Sequence, residues 1–83
     1  MKLTYDPARN VAYLRLKEKD EQVETVRVSD ALAVDLAPDG SVYGIELLDA
    51  NAQLGQEDSG KLVVVDEASG VAREIDLALA PHH

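Results

Sequence analysis

The stretch ALAVDLAPDGSVYGIELL, residues 31–48, carries the reading of the fold. Two alternating runs flank Pro38-Asp39-Gly40-Ser41, and Asp-Gly between such runs supplies the positive φ that a tight hairpin turn needs. With Ala37 facing Val42 across the turn, Leu36 opposes Tyr43, Val34 opposes Ile45 and Leu32 opposes Leu47, so the large apolar side chains share one face. A slip of one residue sets Val34 against Gly44 and scatters that face, because strand side chains alternate with a period of two. The spacing therefore predicts an antiparallel hairpin in this register.

Working outward, strand-like runs recur roughly every ten residues between turn signals, the spacing of an all-β domain rather than of alternating strands and helices. The candidates are residues 2–5, 11–17, 23–29, 31–37, 41–48, 61–66 and 71–78. Asp6-Pro7-Ala8-Arg9-Asn10 joins the first two, and Asp66-Glu67-Ala68-Ser69-Gly70 joins the last two; both carry turn-forming residues. Pairing Tyr5 with Ala12 and Leu3 with Leu14 puts Leu3, Tyr5, Leu14 and Leu16 on one face, while the opposite phase, built on Val11 and Tyr13, stays open. Lys17–Gln22 reads as a solvated loop, and Ser29-Asp30 either turns the chain or bulges one long strand. Asp49–Leu54 predicts a single helical turn, with Asp49 as its N-cap and Gly55 as its stop. Residues 56–60 then read as a linker, and 79–83, with the terminal His82 and His83, as a tail.

The expected fold is all-β, or mostly β with one short helical turn. It is an antiparallel meander of five to seven strands, rolled or packed as a small sandwich, in a single domain over residues 1–83. Gly44, inside a strand, marks a bulge or a close approach by another segment. Asp39, Gly40 and Gly70 are expected at turns.

The composition sets limits. Tyr5, Tyr13 and Tyr43 are the chain's only aromatic residues, so any core consists of aliphatic side chains with little contact area each. No cysteine occurs, which excludes disulfides, thiolate nucleophiles and Cys-ligated zinc and agrees with a cytoplasmic location. A formal charge of −8 repels phosphate backbones, so no nucleic-acid partner is expected. The apolar run Leu62–Val65 is too short to cross a bilayer, so no membrane association is expected. That run is apolar on both faces, however, and Leu47-Leu48 also offers a large side chain to each side. A second layer has to cover one of those faces. It comes from the C-terminal hairpin or from a second copy, and a chain this short favours a homodimer.

Tyr5-Asp6, Asn10-Val11-Ala12-Tyr13-Leu14, Val34-Asp35-Leu36, Asp39-Gly40 and Gly44-Ile45-Glu46-Leu47-Leu48-Asp49-Ala50 together resemble the small prokaryotic family catalogued as domain of unknown function 2283. The resemblance covers residues 1–54. Its most specific part is the last: Asp-Gly, a short spacer, Gly-Ile-Glu, two aliphatics and an Ala in that order. Members usually carry Asp where this chain has Asn10. The resemblance implies a compact β-rich fold and no assigned activity.

Four carboxylates form a candidate polar site. In the register above Asp35 faces Gly44 and Glu46 faces Ala33, so both point away from the aliphatic face, with Asp39 and Asp49 at the strand ends. Such a group has the ligand chemistry for Mg²⁺, Mn²⁺ or Ca²⁺, yet its spacing matches no metal loop, and two carboxylates on one strand pair more often form a solvated face or pair with Arg. A buried Glu46 would need backbone N–H groups, Arg15 or Arg27 as partners. Tyr5 and Tyr13 read as amphipathic core-edge residues, and Asp6 as the cap of the turn before Pro7.

No catalytic triad, phosphate loop or metalloprotease motif is present. No catalytic residue and no cofactor is therefore assigned. The leading expectation is a non-enzymatic module that self-associates or binds a protein partner. Its alternatives are a carboxylate-based metal-dependent hydrolase or metal-binding protein, and an acidic antitoxin-like inhibitor of a basic protein.

Overall fold

The computed structural model describes residues 1–55 and 60–77. The elements are β1 (Lys2–Asp6), β2 (Val11–Arg15), β3 (Glu24–Ser29), β4 (Leu32–Leu36), β5 (Val42–Leu48), α1 (Ala50–Leu54), β6 (Lys61–Val65) and β7 (Ala72–Asp76). The described residues are thus mostly β, with antiparallel sheets, one short helix and no closed barrel, as the alternation and turn signals predict. The expected linker at 56–59, the end of the last strand at 78 and the histidine tail lie outside the described residues. The chain divides into two compact units, Met1–Ala50 and Asn51–His83.

In the first unit the strand order is β1-β2-β5-β4-β3. The pairings produce transverse rows whose members share a face. Leu3, Leu14, Ile45, Val34 and Val26 form an unbroken apolar row across all five strands, and Tyr5, Ala12, Leu47 and Leu32 form the next. On the opposite face the rows read Thr4, Tyr13, Glu46, Ala33, Arg27 and Lys2, Arg15, Gly44, Asp35, Thr25. Of the two phases open for the first hairpin, the one pairing Tyr5 with Ala12 is adopted. It lets Leu3 and Leu14 continue the row of β5, whereas the other would have set tyrosine and arginine into it.

The central hairpin keeps Val34 opposite Ile45 and Leu32 opposite Leu47, but Leu36 pairs with Val42 rather than Tyr43. The turn explains the difference. Ala37 donates its N–H to the Ser41 carbonyl at 2.8 Å, leaving three residues in the loop, with Gly40 at φ 87. One extra residue on β5 must then be absorbed, and Tyr43 takes it up as a bulge between Asp35 and Leu36 on the partner strand. The Tyr43 carbonyl still accepts from the Leu16 N–H at 2.9 Å.

Other turns follow their side chains. Asp6 Oδ1 accepts the N–H groups of Ala8 at 3.0 Å and Arg9 at 3.3 Å, and Asp66 Oδ1 does the same for Ala68 at 2.9 Å and Ser69 at 3.4 Å. Ser29-Asp30 does turn the chain, because β3 ends at Ser29 and β4 begins at Leu32. The expected helical turn forms, and the Gly55 N–H closes it on the Asn51 carbonyl at 2.9 Å. Asp49 sits at φ 51, outside the extended region usual for an N-cap.

The buried apolar residues are Ala12, Ala33, Ala37, Ala50 and Tyr43, and no large side chain is fully buried among the described residues. The Leu, Ile and Val side chains of the apolar rows are half-buried, except Val26, which is 41% exposed. In the second unit β6 and β7 form a two-stranded hairpin with Leu62 opposite Ile75 and Val64 opposite Arg73. There Leu62 is 43%, Val64 50%, Val65 53% and Ile75 50% exposed.

Candidate functional site

The polar face of the five-stranded sheet holds the most organised constellation of side chains. Tyr13, on β2, lies across β5 at Gly44. A Cβ at Gly44 would fall on the Tyr13 hydroxyl and Cζ, so the glycine is what allows the ring to cross that strand. The close approach expected at Gly44 is therefore made by Tyr13, and the bulge sits beside it at Tyr43. Having crossed, the Tyr13 hydroxyl donates to Asp35 Oδ2 on β4 at 2.7 Å. Thr25 of β3 donates its hydroxyl to Asp35 Oδ1 at 2.6 Å. One carboxylate thereby ties together side chains from three strands, with a fourth strand passing beneath the tyrosine ring.

The electrostatics agree with the geometry. Burial raises the Tyr13 phenol well above its ordinary value, and the hydrogen bond to Asp35, the Asp35 charge and nearby Tyr43 push it further; Arg15 opposes them. Tyr13 is consequently a proton donor throughout the physiological range, held neutral rather than poised to ionise.

Arg15 borders this group. Its Nε donates to the Lys17 carbonyl at 2.7 Å, and its Nη2 to the Glu18 carbonyl at 2.8 Å and to Asp20 Oδ1 at 3.0 Å. The same guanidinium stands 5.4 Å from the centre of the Tyr43 ring, within cation–π range. Lys2, Arg15, Lys17, Glu18 and Met1 line a shallow cavity of about 310 Å³, where Lys17 also lies 3.8 Å from both Glu21 and Asp39.

The four carboxylates of the candidate polar site part company. Asp35 is engaged by Tyr13 and Thr25. Asp39 serves the turn: the hydroxyl and N–H of Ser41 donate to its Oδ1 at 2.6 and 3.0 Å and hold its carboxyl below the usual carboxylate range. Glu46 is half-buried in the row between Tyr13 and Ala33, and Arg15 and Arg27 spend their donors on backbone carbonyls and Asp20. Asp49 accepts from Asn10 Nδ2 at 3.0 Å. Among the described residues no group of three or more His, Cys, Asp or Glu side chains is placed to hold a metal ion.

The Asn10–Asp49 contact was not legible in the sequence. Both residues adopt left-handed backbone, with φ of 55 and 51, a conformation that Asn and Asp tolerate better than other side chains. The Ala50 N–H also donates to the Asn10 carbonyl at 3.0 Å, so the first hairpin loop and the exit from β5 are fastened at two points. Tyr13–Asp35 was missed for a different reason: Asp35 and Tyr13 belong to strands separated by β5, and only the glycine hints at a side chain crossing it.

No helix among the described residues is long and apolar enough to cross a membrane. The model of the family described as protein of unknown function (DUF2283) matches residues 2–51. No curated protein and no solved structure matches the chain.

Proposed function

The chain belongs to the DUF2283 family of proteins of unknown function, and we propose that it is a non-catalytic module that self-associates by covering the aliphatic face of its five-stranded sheet with a second copy. One observation supports this reading. Leu3, Leu14, Ile45, Val34 and Val26 lie side by side on that face, while the buried side chains among the described residues are four alanines and one tyrosine.

Alanine burial supplies little driving force, since the hydrophobic effect scales with apolar area removed from water at about 25 cal/mol per Å². A continuous aliphatic row spanning five strands is the kind of surface that isologous dimers bury. Sheet faces packed in this way stand roughly 10 Å apart, with side chains interdigitated. The opposite face carries Tyr13, Asp35, Glu46, Arg15 and Arg27 in the rows described above and suits contact with water.

Light scattering on the eluting full-length chain tests the proposal. A dimer or larger assembly at micromolar concentration is expected, and Ile45→Asp, which places a charge mid-row, lowers its mass with the far-ultraviolet circular dichroism retained. A strict monomer at high micromolar concentration for the unaltered chain overturns the reading.

A further inference from the structure

The second unit presents a separate edge. We infer that β6 pairs antiparallel with β6 of a second copy, completing a four-stranded sheet from two hairpins. This inference concerns a different surface from the aliphatic face of the first unit and does not depend on it.

A lone two-stranded hairpin is marginally stable in water, and a third strand or a covering layer is needed for independent stability. Among the described residues β6 has β7 on one side and no strand on the other. The hydrogen bonds fix which groups face that open side. Asp66 donates its N–H to the Val71 carbonyl at 2.9 Å, and Leu77 donates to the Gly60 carbonyl at 3.4 Å. Antiparallel pairs alternate between bonded and non-bonded, so Leu62 and Val64 bond toward β7 while Lys61, Val63 and Val65 direct their N–H and C=O groups outward.

Charge then selects the edge and the register. Both faces must continue across a two-fold axis normal to the sheet, so residues of equal parity have to pair. Centring β6 on Val63 sets Val63 against Val63 of the second copy, Leu62 against Val64 and Lys61 against Val65, with no like charges opposed. Each transverse row then reads Ile75, Leu62, and Val64 and Arg73 of the second copy, which continues the observed pairs Leu62–Ile75 and Val64–Arg73. The β7 edge fails the same test. Its outward residues are Ala72, Glu74 and Asp76, and its possible registers oppose Glu74 to itself, Glu74 to Asp76 or Arg73 to itself. Like charges directly opposite destabilise a strand pair, and charges on an edge strand discourage pairing. β6 has no Pro and no register shift, and its one charge is at the end. Unpaired, Leu62-Val63-Val64-Val65 has the features of an aggregation-prone segment.

Because the chain contains no cysteine, a single introduced thiol reports on one pairing. Val63→Cys in the full chain places two thiols on the axis with Cα atoms about 5.5 Å apart, inside the range that a disulfide spans. Under mild oxidation at micromolar concentration Val63→Cys is expected to cross-link at least about tenfold faster than Glu74→Cys, the β7 control, because only the former brings the Cβ atoms within reach. A second readout uses the unaltered chain: in a mixture of differently labelled copies, intermolecular contacts between Leu62 and Val64 methyl groups are expected. Equal or slower linking of Val63→Cys, or absence of those contacts in a sample that scatters as a dimer, overturns β6 pairing and leaves the aliphatic-face reading standing. A monomer in light scattering overturns both. A mass in light scattering that falls on Ile45→Asp while Val63→Cys in that background still links efficiently supports both surfaces independently.

Discussion

Gly44→Ala is the sharpest perturbation of the polar face. The added methyl falls on the Tyr13 hydroxyl and Cζ and 2.8 Å from its Cε2, so the ring has to lift away from β5. Lifting it breaks the 2.7 Å bond to Asp35. A hydrogen bond to a charged acceptor contributes about 1.5–3 kcal/mol, and the half-exposed setting places this one near the low end. Crowding in a packed contact costs roughly 1–3 kcal/mol. Replacing glycine in a strand interior recovers about 0.5–1 kcal/mol of backbone entropy. The net expectation is a loss of about 2 kcal/mol, or roughly 8–16 °C in melting temperature for a chain of this size. Thermal and urea unfolding followed by circular dichroism at one fixed protein concentration measure it. A double-mutant cycle isolates the cause: in a Tyr13→Ala background the same substitution becomes neutral or stabilising by about 0.5 kcal/mol. Should Gly44→Ala cost the same in both backgrounds, or cost nothing in the unaltered chain, the crossing of β5 by Tyr13 is not what the glycine is for.

Three further outcomes follow from the same contacts. The fold holds Tyr13 protonated with its titration raised above the free phenol, so its contribution is complete below pH of about 10 and fades as pH rises beyond that value; urea unfolding at increasing alkaline pH should show this decline in the unaltered chain and less of it in Tyr13→Phe, and a stability that rises instead refutes the sign. Ser41 holds the Asp39 carboxyl below its ordinary range, so its contribution is present above pH of about 4 and is lost as pH falls below that; acid melts of Asp39→Asn should be less pH-dependent there than those of the unaltered chain. Asn10→Gly tolerates the left-handed backbone and loses the side chain with its bond to Asp49, whereas Asn10→Ala loses that side chain and also strains the backbone, so alanine is expected to cost about 1 kcal/mol more than glycine in equilibrium unfolding; a smaller cost for alanine would show that φ at this position is not constrained.

The strands were legible because period-two alternation and Asp-Gly or Asp-Pro turns act locally. Val34 opposite Ile45 and Leu3 opposite Leu14 follow from keeping aliphatic side chains on one face. Leu36 opposite Val42 did not, because the loop length that displaces Tyr43 depends on which carbonyl the Ala37 N–H selects, a choice made by turn geometry and not by hydrophobicity. The candidate site was less legible. Asp35 and Glu46 were correctly placed off the aliphatic face, but their neighbours come from β2 and β3, whose order in the sheet no local pattern encodes. Their positions at the strand ends group Asp39 and Asp49 with them on paper, while in three dimensions one closes a turn on Ser41 and the other meets Asn10.

That the fully covered apolar residues among those described are four alanines and a tyrosine bears on how much native protein a given supply of chain yields. If a twin molecule is what shields the leucines and valines, each chain acts as the other's stabilising ligand, and folding obeys mass action. Diluting a sample would then lower its melting temperature with no change in buffer, and native material would accumulate more steeply than in proportion to synthesis. The same sheet would behave as a sensor of its own abundance.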